Sequence, residues 1–251
     1  MRKIRMISYR KLLLIFITTL VLNPHVLAQT SQSFFLPSAD KKGLIVLFHD
    51  IWGIDPFIRT EAERWVELGY QVLVPDLYSE VAPANEREAK VLAEKYTDEI
   101  QKIRYQEAFK KIPPGSIPDQ EKIGFYGWGS GAQIAFKIFL QNPKIRTGAF
   151  VQMTPPHETA LKTESPRRML FIFADQDPQI SKRSRREFSE HLKKLNWDFL
   201  SLDVPAQNSY FYHFGQSKSY DPKGAQVLRT EVNSFFKKHL TFEDFRKERG
   251  Q

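Results

Sequence analysis

Cysteine is absent from all 251 residues, which excludes a disulfide framework and an N-terminal lipoprotein anchor and leaves the fold to be held by its core alone. No apolar run is long enough to span a bilayer comfortably: Leu12 to Leu22 falls short of the ~20 residues that a spanning helix needs. No internal repeat and no low-complexity linker interrupts the chain. His157, His191 and His239 stand at no metal-ligand spacing with acids or with one another, so neither a metal site nor a cofactor is expected. The apparent excess of positive charge is small as well. Five of the 37 Lys and Arg lie in the first 28 residues, which hold no acid, so the remainder carries 32 basic against 29 acidic groups, a net of +3. Nucleic-acid binding thereby loses its main support. The basic clusters Lys182-Arg183-Ser184-Arg185-Arg186 and Lys237-Lys238 read as the solvated faces of amphipathic helices.

What is present begins with a leader. Arg2, Lys3, Arg5, Arg10 and Lys11 precede the apolar run, and Val26-Leu27-Ala28 follows it. These are the three regions of a secretory signal peptide. Cleavage is expected after Ala28, giving a secreted or periplasmic protein with no stable membrane insertion. The expected organisation is a signal peptide over 1–28, an N-terminal extension over 29–42 and one domain over 43–251.

Within that domain apolar runs alternate with helical patterns. Gly43 to Phe48, a continuous apolar run of the kind found in a parallel strand covered on both faces, and Tyr70 to Val74, Ile123 to Tyr126, Gly148 to Met153, Arg168 to Ala174 and Phe199 to Val204 read as strands. Helices are predicted from Pro56 to Leu68, along the charged stretch Glu86 to Phe109, and over Ala132 to Leu140, Arg186 to Leu195 and Pro222 to Leu240. This alternation predicts an α/β class: a doubly wound, mostly parallel sheet with right-handed crossovers and flanking helices.

The most informative segment is Gly124-Phe125-Tyr126-Gly127-Trp128-Gly129-Ser130-Gly131-Ala132. A strand, a sharp turn rich in small residues and a helix form a nucleophile elbow, in which residues two positions either side of the apex must be small to avoid neighbouring backbone. With Gly129 at the apex the flanks are Gly127 and Gly131. With Ser130 there, they are Trp128 and Ala132, and an indole is hard to accommodate. A glycine-rich turn kept for close packing, or a weak phosphate cradle at a helix N-terminus, is the competing reading of the turn taken alone.

His49-Asp50-Ile51-Trp52-Gly53, Leu68-Gly69-Tyr70-Gln71-Val72-Leu73-Val74-Pro75-Asp76-Leu77-Tyr78, the elbow, Ala174-Asp175-Gln176-Asp177-Pro178 and Tyr220-Asp221-Pro222-Lys223-Gly224-Ala225 occur in this order. Together they resemble the dienelactone hydrolase family of the α/β-hydrolase fold. The resemblance covers nearly all of the chain beyond the leader. It implies hydrolysis of small esters or lactones by a nucleophile, an acid and a histidine, in that chain order. Carried over residue by residue, the acid falls on Asp177, the nucleophile on Gly129 and the histidine on Ser209. Glycine has no side chain to acylate, and serine has no basic nitrogen near neutral pH.

The resemblance also implies oxyanion donors at the amides of Ile51 and Ser130 and a cleft bordered by Trp52, Trp128, Tyr210 and Tyr212. Two functions follow. One is a protein inactive by the family mechanism that uses its cleft to bind a small ester, lactone or carboxylate, or a protein partner. The other is a weak esterase or lactonase with a displaced triad of Ser130, His213 and Asp177. The bland readings are a helix-capping hydroxyl for Ser130, a polar tip on an aromatic lid for His213 and a turn-stabilising ring for His49.

Overall fold

The computed structural model describes residues 32–156 and 167–240. The leader and His157 lie outside the described residues. The elements, in chain order, are β1 (Phe34–Leu36), β2 (Leu44–Phe48), α1 (Pro56–Glu67), β3 (Gln71–Val74), α2 (Glu86–Lys95), α3 (Asp98–Lys110), β4 (Ile123–Trp128), α4 (Gly129–Gln141), β5 (Thr147–Val151), β6 (Arg168–Ala174), α5 (Lys182–Lys194), β7 (Asp198–Val204) and α6 (Pro222–Leu240). They build one seven-stranded sheet in the order β1-β3-β2-β4-β5-β6-β7. Only β1 runs antiparallel to its neighbour.

The central strands are apolar throughout because both faces are covered. Along β2, Leu44, Val46 and Phe48 join one core cluster while Ile45 and Leu47 join the other, as the two-residue period of a strand requires. Helices α3, α4 and α5 cover the first face, and α1 and α6 cover the second. The two helices on that second face are joined by charge. Arg64 donates from Nε and Nη2 to Oε2 of the buried Glu61 at 3.0 and 2.8 Å, and Arg229 donates from Nε to Oε1 at 2.9 Å.

Two expectations from the sequence are corrected here. Residues 29–42 are not merely an extension, because Phe34–Leu36 within them pair with β3 as an edge strand. The stretch from Glu86 to Phe109 is two helices, since the chain turns at Tyr96 and Thr97, whose backbones leave the helical region. Tyr96 buries its ring against Tyr78 at 5.5 Å, so burial of an aromatic residue interrupts the helix where no glycine or proline marks a break.

All the segments in question meet at the carboxyl ends of the strands. The loop after β2 carries Asp50 to Asp55, the β4–α4 turn carries Gly129, and the loops after β6 and β7 carry Asp177 and Ser209.

Candidate functional site

Gly129 stands at the apex of the β4–α4 turn with φ of +52°. This left-handed backbone favours glycine. The surrounding glycines are held by contact instead. A Cβ on Gly131 would lie 2.0 Å from the His49 carbonyl oxygen, and one on Gly127 would lie 2.9 Å from the Ala132 backbone. At Gly129 itself a Cβ would meet nothing closer than Asp50 Cβ at 3.5 Å and the Tyr212 hydroxyl at 3.8 Å. The turn is thus built to bring a side chain out at position 129, and none is there.

Asp177 follows β6 and is buried. Its Oδ2 accepts hydrogen bonds from Gln152 Nε2 at 2.7 Å and from Ser209 Oγ at 2.5 Å, while Oδ1 accepts from the Gln179 amide at 2.8 Å. Ser209 therefore sits where a group oriented by Asp177 would stand. Gln152 went unrecognised in the sequence. It adopts φ of +53° just after β5, and its Oε1 accepts from the Ala174 amide at 3.0 Å, so it clamps the end of β6 as well as the carboxylate. Arg185 adds a second brace, donating to the Ala174 carbonyl at 2.9 Å and to Asp203 at 2.7 Å.

Among the described residues no hydrogen bond or ion pair links Ser130, His213 and Asp177 to one another. The Ser130 hydroxyl is buried without an aligned hydrogen-bond partner and makes no capping bond, so the expected helix cap is not formed. Its neighbour is Tyr78, whose phenol burial pushes to about 12, with the Ser130 hydroxyl working the other way. His213 stacks on Phe57 at 4.6 Å and lies 2.9 Å from Asp55 Oδ2, a charge contact without hydrogen-bond alignment. Burial lowers the His213 pKa, but the carboxylates of Asp55 and Asp50 outweigh it and the net shift is upward. His49 holds a turn: its Nε2 accepts from the Leu77 amide at 3.0 Å and its Nδ1 lies 2.8 Å from the Asp50 carbonyl. Those two contacts fit a neutral ring protonated at Nδ1, and burial lowers its pKa.

Asp50 is the residue that sequence reasoning passed over. It is buried, its Oδ1 accepts from the Trp52 amide at 2.9 Å, and its Oδ2 accepts from the Tyr212 hydroxyl at 3.0 Å. Burial raises its pKa from 3.8 to about 6, against the lowering influence of His213. Because the folded value exceeds the unfolded one, the stabilising contribution is complete below about pH 4 and is lost as pH rises to about 6. The difference corresponds to about 3 kcal/mol. Asp50→Asn is expected to flatten this part of a stability-against-pH curve measured by chemical denaturation, and an unchanged slope would contradict the assignment.

The remaining predicted border residues divide by depth. Trp128 and Tyr212 are buried, and Ile51, Trp52, Ser130 and Tyr210 are half-buried. Trp52 and Tyr210 meet edge to face at 6.2 Å. As the second residue of α4, Ser130 has a backbone N–H without an acceptor in the helix.

Comparison with known proteins agrees with this fold. The model of the dienelactone hydrolase family matches residues 32–240. A carboxymethylenebutenolidase from Rhodococcus opacus is 28% identical over 135 residues, a match that spans 49% of this chain and 52% of that enzyme. Among solved structures, a dienelactone hydrolase-like promiscuous phosphotriesterase from metagenomic libraries superposes with a TM-score of 0.66 at 16% identity, covering 82% of this chain and 92% of the other. A dienelactone hydrolase from Anabaena variabilis gives 0.59 at 15% identity, covering 83% and 91%.

Proposed function

We propose, from the premise that the chain belongs to the dienelactone hydrolase family, that it is a member which forms no acyl-enzyme and uses the emptied cleft to bind a small carbonyl compound. The observation that carries this reading is Gly129 at the apex of an otherwise intact elbow, with space for a Cβ and none present. The Ser209–Asp177 hydrogen bond at 2.5 Å supports it independently, since a hydroxyl takes the place from which a base would act. Loss of a general base alone removes ~10²- to 10⁴-fold in rate.

The amides of Ile51 and Ser130 remain as donors for a carbonyl oxygen. The buried carboxyl groups of Asp50 and Asp177 favour a neutral ester or lactone over an ionised carboxylate, because like charges in a buried setting repel. The leader over 1–28 supports an exported protein cleaved after Ala28.

Binding is tested by titrating the protein with a short lactone while following tryptophan fluorescence. A saturable change that is lost in Trp52→Ala is expected. No response from folded protein would remove the binding role.

A further inference from the structure

The two edges of the sheet differ. At one end β1 pairs with β3 over only three residues, and a very short edge strand offers little for another strand to pair with. At the other end β7 is seven residues long and pairs with β6 from Asp198 to Val204 without a bulge. No strand lies beyond it among the described residues. A long open edge presents a row of unpaired N–H and C=O groups, which proteins commonly blunt with lysine, proline or a bulge. β7 has none of these. Its two acids are engaged by arginines: Asp198 lies 3.8 Å from Arg168, and Oδ1 of Asp203 accepts from Arg185 at 2.7 Å. Leu200, in the middle of the strand, is 55% exposed, so the edge carries apolar surface beside its backbone polar groups.

The side chains of β7 divide between two faces. Phe199, Ser201 and Asp203 take the α5 side, where Phe199 packs on the first core cluster and Asp203 reaches Arg185 of α5. Leu200, Leu202 and Val204 take the other side, where Leu202 and Val204 join the second cluster. Between α5 and β7 runs an open groove of about 630 Å³, walled on the helix side by Lys182, Arg186 and Lys193. All three are exposed. The edge of β7 is therefore accessible along its length, with a basic wall on one side and an uncovered leucine on the other.

We propose that this edge is an interface between two copies of the chain, which pair β7 with β7 antiparallel about a two-fold axis through Ser201 and join their sheets into one. An edge that pairs with itself forms an isologous contact, and a two-fold axis perpendicular to the sheet makes that pairing antiparallel. The register with Ser201 on the axis is the one that pairs all seven residues of the strand. It sets Leu200 against the partner subunit's Leu202, Phe199 against the partner's Asp203, and Asp198 against the partner's Val204. No like charges stand opposite one another, and the exposed leucine is covered. On the α5 side, Trp197 donates its amide back to the Leu192 carbonyl at 3.1 Å, which holds Lys193 beside the start of β7. The partner's Asp203, opposite Phe199, then faces Lys193. Because Arg185 takes Oδ1 of each Asp203, Oδ2 remains for that contact. The complementarity marks the occupant as a second copy: the same strand and helix supply both the acid and the base, and symmetry makes each contact twice.

The test is sedimentation equilibrium of wild type, Leu200→Lys and Lys193→Glu over a range of concentrations, with disulfide trapping of Ser201→Cys. Wild type is expected to be a dimer. Leu200→Lys removes two symmetry-related leucine contacts, and at roughly tenfold for each the dissociation constant is expected to rise about 100-fold. Lys193→Glu brings like charges together at two points and is expected to raise it about tenfold or more. Both positions are exposed, and circular dichroism verifies that the variants fold. Because the chain has no cysteine, Ser201→Cys carries a single thiol. Facing residues of an antiparallel pair have Cα atoms about 4.5 to 5.5 Å apart, within reach of a disulfide. Mild oxidation is expected to give a covalent dimer from Ser201→Cys and none from Glu94→Cys, an exposed position on α2. A wild type that stays monomeric at every concentration, a dimer that folded Leu200→Lys leaves intact, or a Ser201→Cys protein that crosslinks no better than Glu94→Cys would overturn the proposal.

Discussion

Gly129→Ser combined with Ser209→His is expected to turn this protein into an acylating esterase, with turnover of aryl esters about 10²- to 10⁴-fold above wild type. The scaffold already supplies what these two side chains need. The apex takes a Cβ with no contact below 3.5 Å, and the strained backbone is the one from which an elbow presents its nucleophile. Asp177 keeps a fixed orientation through Gln152, Gln179 and the position now held by Ser209. A histidine at 209 would exchange the serine hydroxyl for an imidazole N–H on the same carboxylate oxygen, leaving the other nitrogen to take the proton from position 129. Each single substitution is expected to give little, because the groups of a triad act as a unit. The cost to the fold is the left-handed backbone at 129, about 1 to 2 kcal/mol for a residue other than glycine. A folded double variant that shows no burst of aryl alcohol would mean that the emptied positions are not the nucleophile and base sites.

Gly131→Ala is expected to cost more than about 3 kcal/mol, a large share of a domain's usual margin. The new Cβ would lie 2.0 Å from the His49 carbonyl oxygen and 2.4 Å from that of Phe48. These are backbone atoms at the end of β2, where Phe48 pairs with Gly127 of β4. They move only if helix α4 lifts from the sheet or the pairing at the strand ends is lost. At a few degrees per kcal/mol for a domain of this size, the melting temperature should fall by roughly 10 °C. Gly129→Ala, two residues away, is the matched comparison and should lose only the backbone term of about 1 to 2 kcal/mol. Equal melting temperatures for the two variants would show that α4 is not pressed against β2.

The contrast between Gly129 and Gly131 also marks what a sequence reveals and what it withholds. The requirement for small flanks is local, so the apex and both flanking glycines were legible from a nine-residue stretch. The central strands were legible because a strand buried on both faces is apolar throughout, as Leu44–Phe48 is. The edge strand β1 has only three half-buried residues, too few to show a period, so the sequence alone presents it as part of an extension. Residues whose meaning is a long-range contact were also missed. Asp50 gains its environment from Tyr212, 162 positions later, and Gln152 meets Asp177 across 25. Nothing beside Asp50 in the chain signals a buried carboxyl under an empty apex. His213 looked available for catalysis because its partner Asp55 belongs to the cap of α1, far away in sequence.

The proposal is that this protein has lost the covalent chemistry of its family and kept the cleft. It is tested most directly by treating folded wild-type protein with a fluorophosphonate probe that acylation-competent serines capture, and measuring intact mass. No adduct is expected on wild type. A stoichiometric adduct on wild type, abolished by Ser130→Ala, would contradict it and establish Ser130 as a working nucleophile.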